Sequence, residues 1–219
     1  MATKRSYGDR CGVARALDVV GERWTLLVVR ELLLGPKRFT DLRAGLPGLS
    51  ADVLSQRLRE MEAGGIVRRE TLPPPAASKV YELTPRGQAL EPVVVELGRW
   101  GSAVPFAPGD ASFSPDALVI ALKTLFDAAA AADVEERYEL RLDGQTFGLR
   151  VAAGRLEVAR GGAGQPDATI EAEPSTLAAV LWHGRPLPSE ADGADAGVTV
   201  TGSRRAARRF LRLFPLPGP

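Results

Sequence analysis

A chain of 219 residues with one cysteine and one histidine carries little of the usual catalytic hardware. Cys11 alone excludes an internal disulfide and a four-cysteine zinc site. His183 alone leaves a His-based metal centre or a Ser-His-Asp triad without its parts. No Gly-rich phosphate loop or paired-carboxylate motif is visible, so neither a cofactor nor an enzymatic activity is expected. No run of about 18 apolar residues exists, so no membrane-spanning helix is expected. Met1 to Asp9 is polar with no apolar stretch behind it, so no secretory signal and a cytoplasmic protein are expected.

What is present is ordinary for a globular protein: 45% apolar and 25% charged residues, enough to build a core. The net charge of +1 becomes informative when divided. Residues 1–104 hold 16 Lys and Arg against 12 Asp and Glu, while the remainder carries a net −3. Such asymmetry hints that the first part meets a polyanion.

Composition breaks between Gly101 and Pro115, where Gly, Ser and Pro crowd together as in an interdomain linker. Two domains are expected, 1–104 and 115–219, joined by 105–114. Pro186 to Gly197 reads as a surface loop.

The first domain reads as helices followed by a hairpin. Cys11 to Val20 places Val13, Leu17 and Val20 at helical spacing, closed by Gly21. Arg23 to Leu34 stops at Gly35-Pro36, and Arg38 to Leu46 stops at Pro47-Gly48. Ser50 then caps a helix with Leu54, Leu58 and Met61 inward, ended by Gly64-Gly65. Two short helices joined by a Gly-containing turn form a helix-turn-helix, whose second helix can enter a DNA major groove. Ile66–Leu72 and Lys79–Leu83 flank a proline-rich tip and read as a wing. Thr84-Pro85 starts a further helix with the stripe Leu90, Val93, Val94, Leu97 and Trp100. That stripe is too apolar for a lone surface helix and should pack on a partner chain or on its own core.

Cys11 to Gly101 resembles the DNA-binding domain of the HxlR family of winged-helix regulators, relatives of the MarR type. The resemblance is carried by Leu17–Gly21, Arg23–Leu27, Arg30–Pro36, Arg38-Phe39, Leu46–Ser50, Val53–Glu62, Gly65–Arg69 and Val80–Gly87, together with Cys11. It implies a homodimer on a roughly palindromic double-stranded operator.

On the helix from Ser50 the inward stripe leaves Asp52, Ser55, Gln56 and Arg59 facing outward. Gln can pair with adenine, Arg with guanine, and Ser with bases or phosphate. Arg57 lies at the flank, suited to a phosphate or to an internal carboxylate. Arg68, Arg69 and Lys79 on the hairpin could neutralise phosphates. Cys11 has two readings. A small buried hydrophobe is the plainer one. The resemblance adds a redox or electrophile sensor, with Arg10 and Arg15 close in sequence.

The second domain opens with a helix capped by Ser114-Pro115, carrying Leu118, Leu122, Leu125, Phe126 and Ala129. Period-2 alternation follows through Tyr138–Leu142, Phe147–Val151, Leu156–Val158 and Ala168–Ala172, with turns at Asp143-Gly144 and Ala153-Gly154. A helix to Trp182, a strand at Val198–Val200 and a last helix Arg204–Phe214 complete it. This order resembles the sterol carrier protein 2 type of domain, on short motifs such as Leu142-Asp143-Gly144, Pro166–Ala172 and Val198–Gly202. The fold class expected is therefore α+β, a winged helix followed by an α/β layer. The resemblance implies an apolar cavity between sheet and helices for a hydrophobic small-molecule effector. Its candidate lining is Leu122, Phe126, Phe147, Leu149, Leu181, Trp182, Phe210 and Phe214; the plainer reading is that they fill a core. The arginines at 204, 205, 208, 209 and 212 and His183 read as surface residues.

The leading expectation is a dimeric, operator-binding transcription regulator governed by such an effector. The alternative is a lipid or metabolite carrier whose winged helix serves mainly for dimerisation.

Overall fold

Chemical punctuation in the sequence sets most element ends in the computed structural model, which describes residues 6–74, 77–104, 113–188 and 197–217. The chain forms two compact units, 1–94 and 95–219. The expected linker lies largely outside the described residues, as do Pro75 and Ala76 of the hairpin tip and residues 189–196 of the expected surface loop.

The first unit runs α1 (Gly12–Val20), α2 (Thr25–Leu32), α3 (Phe39–Gly45), α4 (Ala51–Ala63), β1 (Val67–Thr71), β2 (Lys79–Leu83), α5 (Pro85–Gln88) and the start of α6 (Glu91–Ser102). Its core joins Val28, Val29 and Leu32 of α2 to Leu42 of α3 and to Leu54, Leu58 and Met61 of α4. β1 and β2 pair antiparallel with Arg68 opposite Glu82, Arg69 opposite Tyr81 and Thr71 opposite Lys79. Lys37 adds an isolated bridge to this ribbon through Tyr81.

The single helix expected from Pro85 onward is broken into α5 and α6. Pro92 has no N–H to continue the ladder, so it is accommodated only in the first turn of a new helix. Exposure along α6 is also informative. Val94 is buried, whereas Val93, Leu97 and Trp100 are 50%, 49% and 73% exposed. On α1, Val13 and Leu17 are likewise exposed while Val20 is buried.

The second unit contains α7 (Pro115–Leu125), β3 (Glu136–Leu142), β4 (Gln145–Ala152), β5 (Arg155–Arg160), β6 (Ala168–Ala172), α8 (Pro174–Trp182), β7 (Val198–Gly202) and α9 (Arg204–Phe210). The five strands lie in the order β5-β4-β3-β6-β7. β3 and β6 are parallel, and every other neighbouring pair is antiparallel. Tyr138, Leu140 and Leu142 of β3 and Phe147, Leu149 and Val151 of β4 are buried, with Arg137, Arg141 and Arg150 exposed between them. This is the alternation of a sheet covered on one face.

Two helices end earlier than their apolar spacing suggests. After α7, Phe126 turns extended and Asp127 caps a new turn by accepting from the N–H groups of Ala129 and Ala130 (2.9 and 3.0 Å). Ala129 therefore lies beyond the helix. α9 ends at Phe210 rather than Phe214. Phe214 precedes Pro215, which disfavours the helical conformation at the residue before it.

Candidate nucleic-acid interface

α4 begins at Ser50, an extended residue whose hydroxyl oxygen accepts from the Val53 N–H at 3.3 Å. That cap satisfies a donor the helix cannot satisfy itself. With Leu54, Leu58 and Met61 inward, the opposite face presents Asp52, Gln56 and Arg59, all exposed, with Ser55 half-buried beside them. Arg59 has no carboxylate partner among the described residues.

Of the two roles open for Arg57, the structure gives the internal carboxylate. Its side chain is only 11% exposed, and its guanidinium is 2.7 Å from Glu60 and 3.4 Å from Glu22. Arg57 therefore takes the second of its two expected roles, the internal-carboxylate partner, in place of the phosphate contact. Glu60 is a residue that sequence reasoning passed over. Gln56 Nε2 donates to its Oε1 at 3.0 Å. The i, i+3 and i, i+4 spacings to Arg57 and Gln56 were the available signal.

The wing is less cationic than its sequence. Arg68 is 2.5 Å from Glu82 and 3.3 Å from Glu70, and Arg69 is 3.3 Å from Glu62 with its guanidinium 5.4 Å from the Tyr81 ring centre. Lys79 is exposed without a carboxylate partner among the described residues. Arg23, Arg38 and Arg43, not named among the expected DNA contacts, are exposed cations of the same unit. The wing base is tied down by Thr84, whose hydroxyl donates to the Gly65 carbonyl at 2.6 Å, and by Arg86, which donates to the Gly64 carbonyl at 3.0 Å.

Cys11 occupies the N-cap position of α1 without a side-chain capping hydrogen bond and is exposed, so the buried-hydrophobe reading is corrected. In the second unit, Leu122, Phe147, Leu149, Phe210 and Phe214 are buried, while Phe126, Leu181 and Trp182 are half-buried. Phe210 packs at 4.9 Å from both Tyr138 and Phe214, and Phe126 lies 6.0 Å from Phe214, measured between ring centres. Trp182 donates to the Phe214 carbonyl at 2.9 Å. Two pockets of this unit, about 410 and 340 Å³, are lined by other residues, mostly polar, among them Arg141, Glu171 and Thr199 in one and Glu135, Arg137 and Asp167 in the other. His183 is exposed at the end of α8, as are Arg205, Arg208 and Arg212, whereas Arg209 pairs with Glu136 at 3.0 Å. No helix among the described residues is long and apolar enough to cross a membrane.

Comparison with known proteins places the first unit. The HxlR-like helix-turn-helix family matches residues 19–105. The uncharacterized HTH-type transcriptional regulator YvaP of Bacillus subtilis is 41% identical over 88 residues, spanning 40% of this chain and 82% of that protein. The HTH-type transcriptional regulator YodB of the same species is 37% identical over 95 residues, spanning 43% of this chain and 84% of that one. A solved structure of the redox regulator HypR in its oxidized form aligns at 35% identity and a TM-score of 0.41, covering 44% of this chain and 100% of that one. The present chain belongs to the HxlR-like helix-turn-helix family of DNA-binding transcriptional regulators.

Proposed function

We propose that the protein regulates transcription by placing α4 in the major groove of an operator half-site, as a homodimer, under the control of a hydrophobic effector held by the second unit. The observation that carries the DNA reading is the outward row Asp52, Gln56 and Arg59 on a helix anchored by Leu54, Leu58 and Met61. These side chains match cytosine, adenine and guanine edges respectively. The wing, with Lys79 exposed, supplies phosphate contact beside it.

The dimer reading is supported by the exposed apolar residues of α6, Val93, Leu97 and Trp100, spaced i, i+4 and i+7, and by Val13 and Leu17 of α1. A helix face of that composition is covered in a stable protein. Two copies related by a two-fold axis present two recognition helices to half-sites about 34 Å apart.

The effector reading rests on the resemblance of the second unit and on the half-buried apolar side chains Phe126 and Trp182, both in contact with Phe214. Phe214 is in turn packed on Phe210, so a ligand enters by parting packed side chains. It controls binding if it favours one dimer arrangement over another by about 1–3 kcal/mol.

The test is a fluorescence anisotropy titration of the full chain against random duplex at several salt concentrations. Binding that weakens steeply with salt is expected. Binding absent at every salt concentration favours the carrier alternative.

A further inference from the structure

The side chains around Gln56 form a continuous chain of contacts, Glu22–Arg57–Glu60–Gln56, running from the turn before α2 to the outer face of α4. Arg57 is its anchor. Its Nη2 donates to Glu60 Oε1 at 3.3 Å, and Nη1 lies 2.7 Å from Oε2 as an ion-pair contact without hydrogen-bond geometry. With the Arg57 side chain 11% exposed, this ion pair and its single hydrogen bond place the half-exposed Glu60 carboxylate beside Gln56. Glu60 in turn presents Oε1 to the Gln56 amide at 3.0 Å.

A carboxylate only accepts hydrogen bonds, so it decides which way the amide turns. The NH2 of Gln56 must point to Glu60, and the flipped amide would set oxygen against oxygen. One N–H and Oε1 of Gln56 are then left for an outside partner, one donor and one acceptor. Adenine offers the complementary pair in the major groove, an N7 acceptor and an N6 donor.

We propose that Glu60, held by Arg57, is a positioning residue that fixes the Gln56 amide for adenine and so sets base preference at one position of each half-site. The proposal rests on the reading of α4 as the groove-entering helix. Glu60 itself adds negative charge close to DNA, so its presence there is better explained by selectivity than by affinity.

The test is selection of bound sequences by the full chain from a pool of fully randomised duplexes, with binding to unselected duplex measured in parallel. Wild type is expected to enrich an adenine at a position where Gln56→Ala loses it. Glu60→Leu and Arg57→Met are each expected to lower the adenine preference at that same base pair roughly tenfold. Glu60→Gln, whose amide oxygen still accepts from Gln56, is expected to retain it. Affinity for unselected duplex reports whether each variant is folded. The proposal is overturned if Glu60→Leu and Arg57→Met keep the adenine preference, or if Glu60→Gln loses it as fully as Glu60→Leu. A uniform loss of enrichment at every position shows a merely structural role and overturns it too. A wild-type protein that enriches no sequence instead removes the reading of α4 on which the proposal depends.

Discussion

Lys37 and Glu31 form an ion pair inside the first unit, Nζ to Oε2 at 2.7 Å, with Glu31 fully buried and the Lys37 side chain 8% exposed. Arg30 lies on the other carboxylate oxygen at 2.9 Å. The same Lys37 exchanges both backbone hydrogen bonds with Tyr81 of the wing, at 3.0 and 2.8 Å. One residue therefore ties α2, the segment before α3 and the wing together. Removing one member of a buried pair typically costs about 3–5 kcal/mol, and Arg30, still beside Glu31, keeps the loss at the lower end. Lys37→Met should lower unfolding free energy by about 3 kcal/mol in urea titration. Replacing both, as Glu31→Leu with Lys37→Met, should restore part of it. A double variant no more stable than Lys37→Met would sink this account.

Gly87 is held to its identity by contact rather than by conformation. A methyl group at this position would sit 2.2 Å from the Ile66 carbonyl oxygen, a backbone atom that moves only with the wing base. Gly87→Ala is expected to cost about 2 kcal/mol through overpacking. Gly101 of α6 has nothing within 4 Å of such a methyl. Gly101→Ala should therefore gain up to about 1 kcal/mol of helix propensity. Thermal denaturation of both variants, one moving down and the other up, checks the contrast.

The wing arginines and Lys79 should differ in their effect on DNA binding. Lys79 is unencumbered by a carboxylate among the described residues, so Lys79→Ala should flatten the slope of log affinity against log salt by about 0.9 per protomer, about 1.8 for the proposed dimer. Arg68 already faces Glu82 and Glu70, so binding a phosphate would first loosen those pairs. Arg68→Ala should change the slope by less. Equal slope changes for the two variants would contradict the Arg68 ion pairs with Glu82 and Glu70.

Trp100 is the most exposed large apolar side chain of α6 at 73%, in line with Val93 and Leu97. Trp100→Glu is expected to shift sedimentation velocity from twice the chain mass to once, with the far-ultraviolet circular dichroism unchanged. A wild-type chain that sediments at its own mass of 23.3 kDa at every concentration would remove the dimer proposal.

Tyr138 sets an alkaline limit on the second unit. Burial, and the Glu136 carboxylate that accepts from its hydroxyl, push its ionisation well above the ordinary tyrosine range. The folded state thus favours the protonated form, and the stabilisation is complete below the unfolded value of about 10. Above that pH the unfolded chain ionises first, so stability should fall by about 1.4 kcal/mol per pH unit. Tyr138→Phe should abolish this decline. Urea titrations at pH 9 to 11 on both proteins provide the check.

Much of the helical framework is legible from local chemistry. Ser50, Thr84 and Ser114 each accept a hydrogen bond from the third residue of the helix they begin, as their positions suggest. Asp143-Gly144 and Ala153-Gly154 turn the strands where alternation pauses, and all four residues take positive φ. The bridge from Lys37 to Tyr81 was not legible, because a one-residue strand leaves no periodicity to read. The outward face of α4 followed from the spacing of Leu54, Leu58 and Met61. Occupancy of the charges on and beside it did not follow. Arg57, Arg68 and Arg69 look alike as residues, yet each is matched to different carboxylates by the fold.

What the sequence by itself determined is the set of local choices: which segments are helical, which alternate, where each stops, and which residue types stand on α4. These depend on neighbours a few positions apart, within reach of caps, turns and hydrophobic period. Only the tertiary structure decided that Lys37 is buried on Glu31, that Arg57 steadies Glu60 instead of facing outward, and that Cys11, Val93, Leu97 and Trp100 remain exposed. Those outcomes depend on which segments meet across the chain, and burial and ion pairing are properties of the meeting rather than of the residues.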